Sequence, residues 1–166
     1  MTSIPIGSIR LIREAYLFAH DHSDDLSTRN GALIISGGSI AVYGTNRFPP
    51  GLKCAELLED RTEKLKYIEH AERNVIYKAA KSGVNTNGAI MYCPWACCGE
   101  CARAIVMSGI VLVVAHKQAL DKTPERWREP NEEGMRILKA GEVEYYLLDA
   151  KIGHCNNLFN GEVWLP

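Results

Sequence analysis

Charge of one sign is scarcely in excess in this 166-residue chain: 19 Lys and Arg stand against 20 Asp and Glu, a net charge of −1. That balance excludes a global basic field able to draw in a nucleic-acid polymer. The most basic stretch, Lys117 to Glu129, sets Lys117, Lys122, Arg126 and Arg128 against Asp121, Glu125 and Glu129. It reads as a solvated loop rather than a phosphate groove. Long apolar runs are missing too, and none reaches the roughly 18 residues of a membrane span. Arg10, Arg13 and Glu14 interrupt the N-terminal apolar stretch, which excludes a signal-peptide layout. No internal repeat or low-complexity segment divides the chain. One domain over residues 1–166, in the cytoplasm and away from membranes, is the expectation.

What the chain does have is thiols. Three of its six cysteines (Cys97, Cys98 and Cys101) fall within five residues. A chain of this length buries a core without disulfide help. In a reducing compartment such cysteines bind metal or do chemistry rather than pair.

Hydrophobic spacing places the elements. Ser8 reads as the N-cap of a helix whose apolar positions are Ile9, Ile12, Ala15, Tyr16 and Ala19. "GALIISGGSIAVYGTN" reads as two strands around a Gly37-Gly38 turn. The charged, helix-prone "KCAELLEDRTEKLKYIE" looks like an insertion. "HAERNVIYKAAKSG" is a helix closed by Gly83, with Ala71, Val75 and Ala79 on its apolar face. "GAIMYC" is a short buried strand, and "CGECARAIVMSG" a helix ended by Gly109. "IVLVVAH" is a strand buried on both faces. "TPERWREP" is loop, "NEEGMRILKAG" helix and "EVEYYLL" strand; the last stretch packs as a tail. The resulting order, α-β-β-α-β-α-β-α-β, predicts an α/β fold: a three-layer α/β/α sandwich with a five-stranded mixed sheet.

Two motifs about 30 residues apart carry chemistry. His70-Ala71-Glu72 opens one helix, and Cys98-Gly99-Glu100-Cys101 opens the next. Side by side on one face of the sheet, the two helices bring their N-termini together. Cys98 and Cys101, at i and i+3, point the same way from the first turn. Free N–H groups and the positive helix end stabilise thiolates there. Two thiolates and the His70 imidazole make three ligands for tetrahedral zinc, leaving a fourth position open for water. Glu72 is placed to move protons between that water and a substrate nitrogen.

These motifs resemble the zinc-dependent cytidine and deoxycytidylate deaminases, whose signature is H-x-E followed by P-C-x-x-C. The resemblance extends over roughly residues 8–148, which implies a catalytic core there and a C-terminal tail at 149–166. It includes "RNGALIISGGSIAVYGTNRFPPG", "HAERNVIYKAAKSG", "GAIMYCPWACCGECARAIVMSGIVLVV" and "WREPNEEGMRILKAGEVEYYLL". It implies a cytidine-deaminase-like fold and hydrolytic deamination of a cytosine nucleotide, dCMP giving dUMP and ammonia. His70, Cys98 and Cys101 carry over as Zn2+ ligands and Glu72 as the general acid/base. Asn46 falls where the family places a residue near the sugar. The Ala71 N–H falls where the family bonds the base carbonyl, and Trp95 where an aromatic walls the base pocket. Arg47 and Lys81 are candidates for phosphate or effector contacts. Partners implied are a nucleotide substrate, a nucleotide triphosphate effector and further copies of the chain in a homo-oligomer.

The chain departs from the pattern at two places. Cys97 stands where the family has proline, and Cys97 with Cys101 would also be helix-compatible ligands at i and i+4. Arg47 stands where the family often has glycine. Other readings stay open at this level. Cys97, Cys98, Cys101 and His70 would make a closed Cys3His structural site. Asn46 serves equally as a turn residue, Trp95 as core, and Arg47, Lys81, Lys117, Arg126 and Arg128 as solvated charges. His20-Asp21-His22 looks metal-like but also suits a helix C-terminus. Cys54, His154 and Cys155 would make a second metal site, and Cys93 reads as buried and inert. Competing functions are deamination of a modified cytosine nucleotide or of tRNA adenosine, and a catalytically dead, zinc-stabilised subunit.

Overall fold

The computed structural model describes residues 7–52 and 60–166. Helix α1 (Ser8–His22) precedes a hairpin of β1 (Gly31–Ser36) and β2 (Ser39–Thr45). Then come α2 (Arg61–Tyr67), α3 (Ala71–Lys81), β3 (Ile90–Tyr92), α4 (Gly99–Met107) and β4 (Leu112–His116). Helices α5 (Lys117–Asp121) and α6 (Arg128–Ala140) lead to β5 (Glu144–Leu148) and a second hairpin, β6 (Asn157–Phe159) with β7 (Glu162–Trp164).

The main sheet has strand order β2-β1-β3-β4-β5. β1 runs antiparallel to β2 and β3, while β3, β4 and β5 run parallel, so the five-stranded sheet is mixed as expected. The β1–β2 turn works because Gly37 and Gly38 both take positive φ (60° and 83°), the geometry of a two-residue hairpin turn.

Alternation along the strands builds two cores. Ala32, Ile34, Met91 and Val113 point to one face, where Val75, Ala79, Ala102, Ile105 and Leu138 of α3, α4 and α6 cover them. Leu33, Tyr92, Val114 and Leu148 point to the other, against Leu11, Ile12, Ala15 and Tyr16 of α1. A sheet buried on both faces explains the continuous apolar run of β4. Three layers result, with α3 and α4 adjacent in the same layer.

Several local readings need correcting. Ser8 is the first helical residue rather than the cap. Gly7, at φ 84°, takes the cap position, and the Ser8 hydroxyl turns inward to within 3.4 Å of the Tyr92 hydroxyl. Helix α6 begins at Arg128, because Pro130 falls in its first turn, where a missing N–H costs nothing. The preceding loop contains a 3-10 turn, Glu125–Trp127. The tail is a hairpin whose Trp164 stacks on His116 with ring centroids 6.0 Å apart. The described part of the insertion forms α2, capped by Asp60, whose carboxylate accepts from the Thr62 and Glu63 N–H groups. Cys54 lies outside the described residues, and so does any second metal site built on it. Among the described residues no helix is long and apolar enough to cross a membrane.

Candidate active site

His70 and Cys98 occupy equivalent places. Each is the extended residue that precedes a helix, His70 before α3 (ψ 155°) and Cys98 before α4 (ψ 172°). The packing of α3 beside α4 turns the two side chains toward each other. His70 Nδ1 lies 3.7 Å from Cys98 Sγ and 3.5 Å from Cys101 Sγ, and the three ligand atoms all fall within 4.8 Å. A tetrahedral ion with bonds of about 2.0–2.3 Å separates its ligands by roughly 3.5 Å. The donor set, two thiols and one imidazole, therefore fits zinc in both chemistry and spacing. Among the described residues this is the one group of three or more such side chains gathered closely enough to hold a metal.

A hydrogen bond from Cys101, then one from His70, pulls the Cys98 thiol well below its ordinary value, and Cys101 is pushed up in return. Burial works to lower His70, but the bond to Cys98 and the nearby Glu72 and Cys98 charges together outweigh it and hold the imidazole above its usual value. The next charge outward is Arg73. Its guanidinium bonds Glu69 (2.6 Å), Glu100 (3.2 Å) and Cys101 Sγ (3.3 Å), setting a positive charge against the thiolate pair.

Glu72, in the first turn of α3, is 2% exposed. Burial raises its carboxyl above the usual range. Its Oε2 is buried with no hydrogen-bond partner among the described residues. An orphaned buried carboxylate oxygen beside a metal-fitting cluster is an unsatisfied acceptor waiting for a proton-bearing ligand.

His70, Glu72 and Cys98 line one pocket together with Asn30, Asn46, Trp95, Trp127 and Asn131. Trp127 sets its ring edge-on to His70 (5.7 Å) and to Trp95 (5.7 Å), and Trp95 in turn meets Phe159 of β6 (5.0 Å).

The family model for the "Cytidine and deoxycytidylate deaminase zinc-binding region" matches residues 8–117. The chain belongs to that family. Its cofactor is accordingly zinc, the metal that the His70, Cys98 and Cys101 donor set fits. The deoxycytidylate deaminase of Pongo abelii is 32% identical over 106 residues, 60% of this chain and 58% of that protein. The deoxycytidylate deaminase of Enterobacteria phage T4 is 41% identical over 82 residues, 49% of this chain and 38% of that one. The chain thus spans less than two thirds of either relative's length. A crystal structure of the cyanophage S-TIM5 dCMP deaminase in complex with dCMP and dUMP superposes with a TM-score of 0.68. It has 24% identity and covers 89% of this chain and all of that one, a likeness of fold.

The other residues singled out in the sequence are scattered. Asn46 is buried in the pocket wall, where its Nδ2 donates to Thr28 O (2.9 Å) and its Oδ1 accepts from the Ala71 N–H (3.1 Å). The Ala71 N–H is thereby committed to Asn46. Trp95 lines the pocket and donates from Nε1 to Thr123 Oγ1 (2.9 Å). Arg47 is exposed and outside the pocket, 3.6 Å from Asp24. Its backbone, though, bridges to Glu69 and so ties the Asn46 segment to His70. Lys81 is exposed at the end of α3 opposite Glu72, roughly 13–14 Å away along the axis. Cys97 is buried (2%) and lies outside the ligand cluster, its thiol pushed up by burial. Cys93 is buried and accepts from Asn30 Nδ2 (3.3 Å). Sequence reasoning missed Asp25, Arg61, Lys64, Trp127 and Asn131, and set Arg126 aside as solvated; all six line the pocket. Only the Trp127 side chain, an aromatic in a charged loop, was a visible signal.

Proposed function

We propose that the protein hydrolyses the exocyclic amine of a cytosine nucleotide, converting dCMP to dUMP and ammonia. The observation that carries this is Glu72, buried with an orphaned oxygen beside the His70, Cys98 and Cys101 cluster and opening into the same pocket. Those three residues would hold the zinc, which when bound polarises and acidifies water. Glu72, its carboxyl raised by burial, takes a proton from the attacking water. It passes that proton to the ring nitrogen and then carries the proton of the new C4 hydroxyl to the departing amine, so that C4 keeps the oxygen as a carbonyl and ammonia leaves. Trp95 and Trp127, packed edge to face, give the pocket an aromatic wall for a flat ring, and Asn46 orders the pocket by joining Thr28 to Ala71. A free nucleotide suits a near-neutral chain better than a polymer does.

Ammonia release from zinc-loaded protein tests this, with deoxycytidine, dCMP, CMP, dCTP and 5-methyl-dCMP as substrates. Release from dCMP should fall about 10²–10⁴-fold in Glu72→Gln while zinc content stays unchanged. Equal rates in the variant, or no release from any cytosine substrate, would overturn the assignment.

A further inference from the structure

Beside His70 of the zinc-fitting cluster stands the Trp127 ring, and against that ring the Arg61 guanidinium; Arg126 lines the same pocket. Arg61, at the start of α2, sets its Cζ 5.8 Å from the Trp127 ring centroid. Arg126 is the neighbour of Trp127 in the 3-10 turn, and its guanidinium donates to Asn160 Oδ1 in the turn of the C-terminal hairpin. Both arginines are exposed and both line the pocket. Neither has a carboxylate partner among the described residues. Their neighbours do: Lys66 pairs with Glu63, Lys117 with Asp121 and Arg128 with Glu125. Two guanidiniums without a carboxylate partner among the described residues thus line the same pocket as the buried Glu72.

The element that presents Arg61 is itself anchored. Lys64, one turn along α2, is buried and bonds Asp25 Oδ1 at 2.8 Å, with both side chains under a tenth exposed. The same oxygen accepts from the Ser27 and Thr28 N–H groups (2.8 and 3.1 Å). Lys64 lines the pocket, but its charge is consumed by Asp25, so it holds α2 to the loop before β1 rather than facing a ligand. Opposite, Asn160 N donates to Thr28 Oγ1 (3.1 Å), which fixes the hairpin that orients Arg126.

We infer that Arg61 and Arg126 form a clamp for the phosphate of a nucleoside monophosphate, and so make the pocket select the phosphorylated substrate over the free nucleoside. The inference rests on the deaminase reading for the orientation of the nucleotide, base inward and phosphate outward. Guanidinium forks match a dianionic phosphate with paired, charge-assisted hydrogen bonds. The Trp127 ring stands between Arg61 and His70, its centroid 5.8 Å from the Arg61 Cζ and 5.7 Å from the His70 ring, so the phosphate end of a nucleotide is set apart from the base end.

Calorimetric titration of the zinc-loaded full chain with dUMP and with deoxyuridine reads the clamp without turnover. The wild type should bind dUMP at least about tenfold tighter than deoxyuridine. Arg61→Ala and Arg126→Ala should each remove most of that ratio. Both positions are exposed, so folding is not at stake. Arg10→Ala, on the exposed face of α1, controls for net charge and should keep the ratio. A ratio near one in the wild type, a ratio retained in both arginine variants, an equal loss in Arg10→Ala, or binding of neither compound would overturn the clamp. Tight, Arg-dependent dUMP binding without ammonia release from dCMP would leave the clamp and sink the deaminase reading. Equal deamination of deoxycytidine and dCMP would do the reverse.

Discussion

Gly134 of α6 lies directly against the carbonyl of Cys97: a Cβ at this glycine would stand 2.1 Å from that oxygen. The contact sets how closely α6 approaches the turn that carries Cys98. Gly134→Ala must push that turn away, so we expect it to destabilise the fold by about 1–3 kcal/mol and to lower bound zinc below one per chain. Denaturant melts and metal analysis would check this. Wild-type zinc content together with wild-type stability would show that the contact does not set the turn.

Of the adjacent cysteines, Cys98 faces His70 and Cys97 faces the core. Cys98→Ser should lose zinc and activity, whereas Cys97→Ser should keep its zinc and lose only modest stability. Metal content of the two purified variants decides between them, and zinc loss confined to Cys97→Ser would reverse the assignment.

Arg73 holds a positive charge 3.3 Å from Cys101 Sγ. Removing a partner that compensates and orients a ligand typically weakens metal binding 10–100-fold. Arg73→Ala should therefore give up zinc to a chelator at about that much lower concentration. Arg73→Lys should recover only part of the loss, since it cannot bond Glu69, Glu100 and Cys101 together. Chelator competition indistinguishable from wild type would show that the thiolates need no such compensation.

His116 is fully buried, with Nε2 donating to Ala150 O (3.0 Å) and Nδ1 accepting from the Tyr16 hydroxyl (2.9 Å). Burial lowers its pKa. A neutral histidine so held contributes stability that is fully present above the ordinary value of about 6.5. That stability is lost as pH falls through the lower folded-state value. Stability of the wild type should thus drop more steeply below pH 6.5 than that of His116→Gln, measured by urea melts across pH 5–8. Parallel profiles would remove His116 as the cause.

Much of the fold could be read from local pattern. The Gly37-Gly38 hairpin, the apolar face of α3 and the doubly buried β4 are written in spacings of two and three to four residues, which backbone geometry imposes directly. Helix α2 was legible only as a helix-prone stretch, and α5 and the C-terminal hairpin were not legible as elements. Each is too short to show a period, and each is held by distant partners such as Asp25 for Lys64 and Tyr16 and His116 for Trp164.

The groups of the proposed site were already paired in the sequence. His70 with Glu72, and Cys98 with Cys101, sit close enough in the chain that one helical turn presents each pair together. What surrounds that chemistry was decided only by tertiary structure. Cys97 and Cys98 are neighbours in sequence, and the packing of α6 on their turn separates core thiol from pocket thiol. Arg61 and Arg126 come from segments 65 residues apart in number, and the fold brings them to one pocket. Nothing in a chain distinguishes an exposed arginine at a pocket mouth from one in open solvent, because the difference lies in contacts made by residues far along the chain.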